Sequence, residues 1–260
     1  MLIGERHKYI KAVLEREGKV VAIDLGQELG VSIDTVRRDL HKLAEEGVLQ
    51  RTHGGALPLG SHTNYATREK ISNSIKAKLA AATVNLIEDG QTIFLDGGTT
   101  NVHIAQQLPH DLQATIITNN PPAAVALMNH ANIEVILSGG RLLKHCMTTT
   151  GPTTLNLFNT IRADICILGI CSLHAQEGIG ASDYEEMQIK RVMIDRSAEV
   201  IGTATADKLG MVYNYTVDDI RSLTYLVTES NVAEHSLQSF RDKGVQVTQV
   251  NSQTELVNRD

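Results

Sequence analysis

Short apolar segments alternate with helix-like segments over the part of the chain that follows residue 70, and this alternation constrains the fold more than any other feature. Seven segments have the composition of buried strands, at residues 93–95, 115–118, 135–137, 165–168, 200–203, 225–227 and 245–247. Helical spacing of apolar residues falls between them, at residues 71–86, 122–129, 183–197 and 233–243. Strands that alternate with helices form a parallel sheet with helices on both faces. The sequence therefore predicts an α/β domain with a mainly parallel sheet.

The N-terminal part of the chain has a different pattern. Three helices are predicted there, at residues 4–17, 23–29 and 33–46. Ser32 has a side chain suited to cap the third helix, and residues 48–52 alternate like a strand that belongs to a β-wing. This order of elements is that of a winged helix-turn-helix. We expect three regions, namely this domain, a linker and the α/β domain, at residues 1–58, 59–70 and 71–255.

Charge is divided unevenly between these two domains. The chain has a formal net charge of −6, but residues 1–58 carry nine basic and nine acidic side chains. A DNA-binding domain that is neutral overall relies on a few placed cations rather than on a general positive field. Aromatic residues make up 3% of the chain and tryptophan is absent, which argues against a platform that stacks single-stranded bases.

The remaining composition argues against several other functions. No apolar run has the length of a membrane span, so we expect no membrane contact. Cys146, Cys166 and Cys171 lack paired metal spacing, and the ten histidines form no His-x-x-x-His pair, so we expect no metal site and no cofactor. An odd number of cysteines without a secretory signal is typical of a reducing cytosol, so we expect a cytoplasmic protein.

The third predicted helix has an apolar stripe and an opposite polar face. At 100° per residue the stripe consists of Ile33, Val36, Leu40 and Leu43. Arg38 and Thr35 lie on the far side of the helix, and we expect them to contact base edges in a DNA groove. Arg37 and Lys42 are better placed to hold phosphates. An ordinary surface helix with solvated charges is the alternative, but the preceding helix, the turn and the wing favour DNA binding.

Two kinds of side chain complete the candidate DNA-binding set. Asp34 would repel phosphate unless it accepts a hydrogen bond from cytosine or pairs with Arg38. Histidines and the arginine of the wing add further donors. The full set is Ser32, Asp34, Thr35, Arg37, Arg38, His41, Lys42, Arg51 and His53.

A glycine-rich loop joins the first predicted strand of the α/β domain to the helix that follows it. Residues 96–100 read Asp-Gly-Gly-Thr-Thr, and such a loop aims backbone N–H groups and the helix dipole at one point, where an anion can bind. Residues 118–120 and 138–141 end neighbouring strands with polar residues and glycines. Parallel sheets bind ligands at the carboxyl ends of their strands, so we expect these ends to converge. A simple tight turn is the alternative interpretation.

Cations must complete such a site, because Asp96 itself repels phosphate. Asp96 is better suited to accept from a sugar hydroxyl or to brace the loop. Arg141, Lys190 and Lys208 are the candidate cations, each close to the end of a predicted element. The full candidate effector-binding set is Asp96, Gly97, Gly98, Thr99, Thr100, Thr118, Asn119, Gly139, Gly140, Arg141, Lys190 and Lys208.

The N-terminal domain resembles the DeoR family of bacterial transcriptional regulators. Three motifs carry the resemblance: an arginine with an aliphatic residue four positions later, Ser-x-x-Thr-aliphatic-Arg-Arg-Asp-Leu, and Gly-x-Leu-x-Arg-x-His-Gly-Gly-Ala. Their residues are Arg6 and Ile10, then Ser32, Thr35, Val36, Arg37, Arg38, Asp39 and Leu40, then Gly47, Leu49, Arg51, His53, Gly54, Gly55 and Ala56.

The larger domain resembles the effector domains of the same family. The matching residues are Asp96, Gly98, Thr99, Thr100, Thr118, Asn119, Gly139, Gly140, Asp164, Ile167, Gly169, Lys190 and Arg191. The family's Asp-Ser-Ser-Lys motif is replaced by residues 205–208, Thr-Ala-Asp-Lys, which keep the lysine and move the acid beside it.

This resemblance implies a fold similar to that of sugar-phosphate isomerases. It also implies a repressor of a carbohydrate-metabolism operon, with a double-stranded DNA operator and a phosphorylated sugar effector as partners. Such regulators are expected to be homodimers or homotetramers.

An active sugar-phosphate isomerase with a DNA-binding head is the alternative function. Its general base would be one of four carboxylates, Asp96, Asp183, Glu185 or Glu186. The spacing of these residues forces no second acid or base group toward any of them. We therefore expect a regulator and no enzyme activity.

Overall fold

The N-terminal domain is a winged helix-turn-helix, as predicted. The computed structural model describes residues 2–17, 20–46, 48–52, 54–58 and 65–251. Its first helices and strands are α1 (Ile3–Glu17), β1 (Val20–Val21), α2 (Ala22–Leu29), α3 (Ile33–Glu45), β2 (Leu49–Thr52) and β3 (Gly55–Pro58). The three strands pair antiparallel in the order β1-β3-β2. Gly30 ends α2 with a φ of 62°, a left-handed conformation that favours glycine.

The core of this domain joins all three helices to the wing. Val36, Leu40 and Leu43 of α3 are buried against residues of α1, α2 and the strands. The apolar stripe of α3 is shorter than predicted, since Ile33 in the first turn is 39% exposed. Asp39, by contrast, is buried among these apolar side chains with 2% exposure.

An ion pair explains the burial of Asp39. Arg6 of α1 donates to both carboxylate oxygens, from Nε at 2.7 Å and from Nη2 at 3.0 Å. His7 Nε2 lies 3.3 Å from Asp39 Oδ1. A bidentate arginine–carboxylate pair fixes both distance and orientation, so it sets how α3 lies against α1.

The larger domain is built on a seven-stranded parallel sheet. Its strands are β4 (Thr92–Leu95), β5 (Ala114–Thr118), β6 (Ile133–Leu137), β9 (Ala163–Gly169), β12 (Ser197–Thr203), β14 (Tyr225–Glu229) and β15 (Gln246–Val250). Their order in the sheet is β15-β14-β12-β9-β4-β5-β6. Each of the seven predicted strands overlaps one of them, and every neighbouring pair is parallel. The predicted fold class is confirmed.

Helices cover both faces of this sheet. They are α4 (Tyr65–Lys70), α5 (Asn73–Val84), α6 (Thr99–Gln107), α7 (Pro121–Ala126), α8 (Pro152–Thr160), α9 (Tyr184–Asp195) and α10 (Glu234–Arg241). Successive residues of β4 belong to different apolar clusters: Ile93 and Leu95 to one, Phe94 to the other. This alternation is expected for a strand that is buried on both faces. Helix α4 lies within the segment that the sequence analysis treats as linker.

Five further strands were not predicted. They are β7 (Arg141–Leu143), β8 (Thr148–Thr150), β10 (Ser172–His174), β11 (Gly178–Ala181) and β13 (Tyr215–Asp218), and they form two small antiparallel sheets. Their short sequences, such as Thr-Thr-Thr, carry no apolar run. The backbones of β11 and β13 approach closely where they pair, since a Cβ atom added at Gly178 would lie 2.2 Å from Asp218 O.

Across the ranges of residues described above, every helix is too short or too polar to cross a bilayer.

The Arg6–Asp39 pair yields a test of head stability. Replacing the guanidinium with an apolar chain, Arg6→Met, leaves a buried carboxylate without its bidentate partner, which is strongly destabilising. We expect faster amide hydrogen exchange in α1 and α3, measured by mass spectrometry. Arg37→Met, at an exposed position of α3, is the matched control. Unchanged exchange in Arg6→Met would show that the pair does not hold the two helices together.

Candidate DNA-binding surface and ligand site

The start of α3 is held by two of the candidate DNA-binding residues. Ser32 is the N-cap residue, and its Oγ accepts a hydrogen bond from the Thr35 N–H at 3.2 Å. The same Oγ lies 2.9 Å from Thr35 Oγ1. Both hydroxyls are therefore already engaged with each other, and Thr35 is half-buried. A hydroxyl has two acceptor lone pairs, so the Thr35 oxygen as well as its methyl group can still contact a base.

The basic side chains of α3 are exposed and differ in their partners. Arg37 Nη1 lies 3.5 Å from Asp34 Oδ1, so Asp34 pairs with Arg37 and not with Arg38. Arg38 is exposed and makes no hydrogen bond or ion pair with any residue that the structure describes. Lys42 is exposed one turn further along. An exposed guanidinium without an internal partner is available to bind a base edge or a phosphate.

The wing adds a further basic side chain next to α3. Arg51 on β2 lies with its Nη1 3.4 Å from His41 Nδ1, and His41 Nε2 lies 3.4 Å from Glu45 Oε1. These contacts bring the wing arginine to the same helix as Arg38. His53 lies outside the described residues.

The carboxyl ends of β4 and β9 meet at a buried ion pair. Asp96 follows β4 directly and is 1% exposed. Its Oδ2 accepts the Gly169 N–H at 2.9 Å and the ammonium of Lys190 from α9. Lys190 Nζ also donates to Gly169 O at 2.7 Å. The side chains of strand and helix are thus joined at the point where the sequence predicts a ligand site.

Lys190 is surrounded by negative charge. Its ammonium is 1% exposed and lies 3.3 Å from Glu186 Oε1, in addition to its contact with Asp96. Burial by itself lowers the pKa of Lys190, but the two carboxylates outweigh burial and raise its pKa. Lys190 therefore stays charged and compensates Asp96 and Glu186, whereas the sequence analysis considered it as a cation for phosphate.

Two buried asparagines hold the glycine-rich loop. Asn101 Nδ2 donates to the carbonyl oxygens of Asp96 at 3.0 Å and Ile167 at 3.1 Å. Asn120 Nδ2 donates to Asp96 O at 3.3 Å and to Gly98 O at 3.4 Å. The sequence analysis missed these two roles. The available signal was one asparagine after the Gly-Gly-Thr-Thr run and another directly after Thr118-Asn119.

The loop itself requires glycine. Gly98 has a φ of 123°, and a Cβ atom added at Gly97 would lie 2.2 Å from Thr148 Cγ2. Thr99 and Thr100 begin α6, so their backbone N–H groups belong to the first turn of a helix. These N–H groups lack intrahelical acceptors and can donate to an anion.

Thr118 and Asn119 end β5 beside this loop. The Thr118 hydroxyl donates to Leu95 O at 2.6 Å and accepts from the Asn120 N–H at 3.0 Å, so it braces two strand ends. Asn119 Oδ1 is buried and has no hydrogen-bond partner among the residues that the structure describes. A buried acceptor without a partner is costly. Its oxygen is therefore a candidate acceptor for a ligand hydroxyl.

The other residues of the candidate effector-binding set have different partners. Gly139 O accepts from Thr154 Oγ1 at 2.6 Å, and Gly140 has a φ of 130°. Arg141 is 64% exposed and pairs with Glu185. Lys208 Nζ lies 3.2 Å from Asp207 Oδ2, so the displaced acid of the Thr-Ala-Asp-Lys segment pairs with the lysine beside it.

Lys76 on α5 is a cation that the sequence analysis missed. It is buried, and its Nζ donates to Ile71 O at 2.6 Å and to Arg68 O. Burial, and next the positive charge of Lys208, lower the pKa of Lys76 to about 8. The carboxylates of Asp207 and Glu69 act in the opposite direction and raise the pKa of Lys76. A single lysine in an otherwise ordinary helix gives no signal for such a role.

The four carboxylates considered as a general base are all engaged. Asp183 caps α9 and accepts from the N–H groups of Glu185 and Glu186 at 2.9 and 3.0 Å. Glu185 accepts from Thr150 Oγ1 at 2.8 Å, and this hydrogen bond lowers its pKa. Asp96 and Glu186 both contact Lys190, a convergence that spacing along the chain did not predict.

Comparison with family models identifies both domains. Residues 6–61 match the model of the DeoR-like helix-turn-helix domain. Residues 72–230 match the model of the DeoR C terminal sensor domain. The second match alone covers more than half of the chain.

Relatives are similar over nearly their whole length. The HTH-type transcriptional regulator GlpR of Haloferax volcanii is 30% identical over 95% of this chain and 98% of its own. The glycerol-3-phosphate regulon repressor of Escherichia coli K12 is 30% identical over 94% of this chain and 97% of its own. The HTH-type transcriptional regulator GolR of Listeria innocua is 29% identical over the same shares of the two chains.

Likeness to solved structures is distant. Ribose 5-phosphate isomerase A from Methanocaldococcus jannaschii covers 52% of this chain and 54% of its own, with 17% identity and a TM-score of 0.39. The family models and the regulators above decide the family. The chain belongs to the DeoR family, and it is a DNA-binding transcriptional regulator with a sensor domain rather than an isomerase.

Proposed function

We propose that the protein represses a carbohydrate-metabolism operon and that a phosphorylated sugar bound in the larger domain controls its binding to the operator. The observation that carries this proposal is the presence in one chain of an exposed, unpaired Arg38 on α3 and a polar, buried strand-end site with an unpaired acceptor at Asn119. Relatives include a glycerol-3-phosphate regulon repressor and a putative aga operon transcriptional repressor. These names support a phosphorylated carbohydrate as the effector.

On DNA, the exposed face of α3 would enter the major groove. Arg38 is our choice for a guanine edge and the Thr35 methyl for a thymine methyl, because these are common pairings in that groove. Arg37, Lys42 and Arg51 would hold phosphates and set the register. Helix-turn-helix proteins read paired half-sites as symmetric oligomers, so we propose a homodimer or homotetramer. We also propose a cytoplasmic location, because the operator DNA that the protein would bind lies there.

In the sensor domain, the two ends of a sugar phosphate would find different partners. The phosphate would lie at the start of α6, on the N–H groups of Thr99 and Thr100, with Lys76 and Lys208 supplying positive charge. Sugar hydroxyls would donate to Asn119 Oδ1. Asp96 would brace the loop rather than touch the ligand, because Lys190 and the Gly169 N–H already occupy it.

Control requires that the ligand bind the DNA-competent and DNA-incompetent forms with unequal affinity. A gel-shift experiment with the region upstream of the protein's own operon tests the function. We expect a specific complex that weakens with salt and responds to a sugar phosphate. No specific complex with any neighbouring promoter would overturn the proposal. Turnover of pentose or hexose phosphates, followed by NMR, would instead favour the isomerase.

Arg38 provides the test of base reading. We expect Arg38→Ala to weaken operator binding by about 1–3 kcal/mol and to relax the base preference at one position. Arg37→Ala is the matched comparison and should weaken binding to all sequences alike, with a shallower salt dependence. Binding titrations against single-base operator variants measure both effects. A uniform loss in Arg38→Ala would place this residue on a phosphate.

Gly98 provides the test of the ligand loop. Its φ of 123° is strained for any L residue, so Gly98→Ala should move the loop and the first turn of α6. We expect the affinity for glycerol 3-phosphate or another sugar-phosphate probe to fall about tenfold or more, with operator binding kept. Gly90→Ala is the control, because Gly90 also has a positive φ, of 83°, but lies in a turn before β4. Equal losses in both variants would remove the loop from the site.

Lys76 gives the site a pH dependence. An anionic ligand favours the charged ammonium, so it raises the pKa of Lys76 from about 8. Above that pH the free protein must take up a proton to bind, and affinity should fall by up to about tenfold per pH unit. Calorimetric titration with glycerol 3-phosphate between about pH 7 and about pH 9 measures this. Lys76→Met should flatten the profile, whereas the control Lys78→Met should retain it. A wild-type profile that is already flat contradicts the role of Lys76.

A further inference from the structure

We propose that His145, Cys146 and Glu186 bind a divalent transition-metal ion, with Zn²⁺ as the best match, and that Cys171 supplies the fourth ligand. This site is separate from the ligand loop described above. The sequence predicts no metal site, because its cysteines and histidines are not spaced as a metal-binding motif along the chain. The fold brings together residues that are some forty positions apart.

The geometry of the three side chains supports a shared ion. One nitrogen of His145, Cys146 Sγ and a carboxylate oxygen of Glu186 all lie within 4.8 Å of one another. Ligand distances of about 2.0–2.3 Å in a tetrahedral zinc site place ligand atoms about 3.3–3.8 Å apart. Small rotations of the side chains are therefore enough to close this cluster around an ion.

Cys171 also contacts the carboxylate of Glu186. Its Sγ lies 3.4 Å from Glu186 Oε1, which is already the spacing of two ligands on one zinc ion. Cys171 follows β9 by two residues, whereas Cys146 lies in the turn between β7 and β8. The four candidate ligands thus come from three separate elements, and Glu186 is the residue that the other three approach.

The mixture of donors selects the kind of metal. Two thiols, one imidazole and one carboxylate suit Zn²⁺ and related soft or borderline ions, whereas Mg²⁺ and Ca²⁺ prefer oxygen ligands alone. Cys146 and Glu186 are buried and His145 is half-buried, so water has limited access to compete for the ion. An enclosed four-ligand site of this type is typical of structural zinc.

Buried charge is compatible with the ion despite the nearby ammonium of Lys190. With both carboxylates ionised and no metal bound, Asp96, Glu186 and Lys190 together carry one net negative charge. Binding of a divalent cation with loss of both thiol protons leaves that net charge unchanged. Lys190 also retains Asp96 and Gly169 O as partners when Glu186 turns toward the metal.

The turn that carries His145 and Cys146 is held in place. The N–H groups of Cys146 and Met147 both donate to Leu143 O, at 3.3 and 2.8 Å. His145 O accepts from the Tyr65 N–H at 2.9 Å and from Arg68 Nη2 at 3.3 Å. Met147 has a φ of 56°, which is uncommon for a residue other than glycine. The hydrogen bonds to Leu143 O therefore hold the turn in a single backbone conformation, despite the positive φ of Met147.

The cluster borders the ligand loop without sharing its backbone. Cys146 Sγ lies 2.8 Å from Thr148 Oγ1, and the methyl group of Thr148 fills the space where a Cβ at Gly97 would stand. Glu186 contacts Lys190, which holds Asp96. An ion at the cluster would therefore stiffen one wall of the sensor site.

Titration of the untagged, metal-free full chain with Co²⁺ tests the site. Cobalt is a spectroscopic substitute for zinc: thiolate ligands give an ultraviolet charge-transfer band, and tetrahedral geometry gives intense visible bands. We expect both bands, saturation at one ion per chain, and their loss on addition of Zn²⁺. A wild-type protein with neither band, or with bands that do not saturate at one ion per chain, overturns the proposal before any variant is made.

Variants assign the ligands. Cys146→Ser should abolish most of the charge-transfer band, and His145→Gln should weaken Co²⁺ binding about tenfold or more. Cys171→Ser should reduce the band if this residue is the fourth ligand, and an unchanged band would overturn that assignment. Cys166→Ala is the matched control, because Cys166 is buried in β9 and is not part of the cluster. Equal binding by wild type and Cys146→Ser contradicts the site, and circular dichroism verifies that each variant is folded.

Discussion

The buried ion pair between Lys190 and Asp96 is the interaction on which the sensor domain depends. A charged ammonium inside a protein is tolerated only when carboxylates and carbonyls surround it, and Lys190 has Asp96, Glu186 and Gly169 O around it. The pair links the end of β4, the end of β9 and the middle of α9. Removal of Lys190 would leave Asp96 and Glu186 without their counter-ion at the point where the glycine-rich loop begins.

The rest of the strand-end site is arranged around that pair. Asn101 and Asn120 bind the carbonyl oxygen of Asp96, so the loop that follows has a single position. Gly169 allows its backbone to approach that of the loop, since a Cβ atom added at Gly169 would lie 2.0 Å from Gly97 O. In the ligand site that we propose, the ligand would bind at the first turn of α6, at the Asn119 oxygen that has no partner among the described residues, and near the ammonium groups of Lys76 and Lys208.

The N-terminal domain also depends on a buried ion pair, between Arg6 and Asp39. Arg38 and Asp39 are neighbours in sequence, and the 100° step of a helix sends their side chains in different directions. Asp39 is buried and pairs with Arg6. Arg38 is exposed and has no partner among the described residues. The buried carboxylate in α3 thus fixes the side of the helix on which Arg38 is exposed.

Residue patterns alone were enough to predict seven strands and the order of elements in the head, because both depend on periodic burial of apolar side chains. They also identified the loop at residues 96–100, because glycine and threonine at a strand-helix junction have a local meaning. They did not predict the roles of Asn101, Asn120 or Lys76, nor the exposure of Arg141. Those roles depend on which side chains of distant segments meet.

The sequence by itself determined the elements of this protein and the chemistry that each one carries, since caps, turns and apolar periodicity act over a few residues. Only the tertiary structure decided how the charges pair. Lys190 is an internal counter-ion because α9 brings its ammonium to Asp96, which follows β4, and to Gly169 O at the end of β9. His145, Cys146 and Glu186 lie together although they belong to a turn and a helix far apart in sequence. Contacts between residues far apart in sequence depend on the packing of whole elements, which no local pattern encodes.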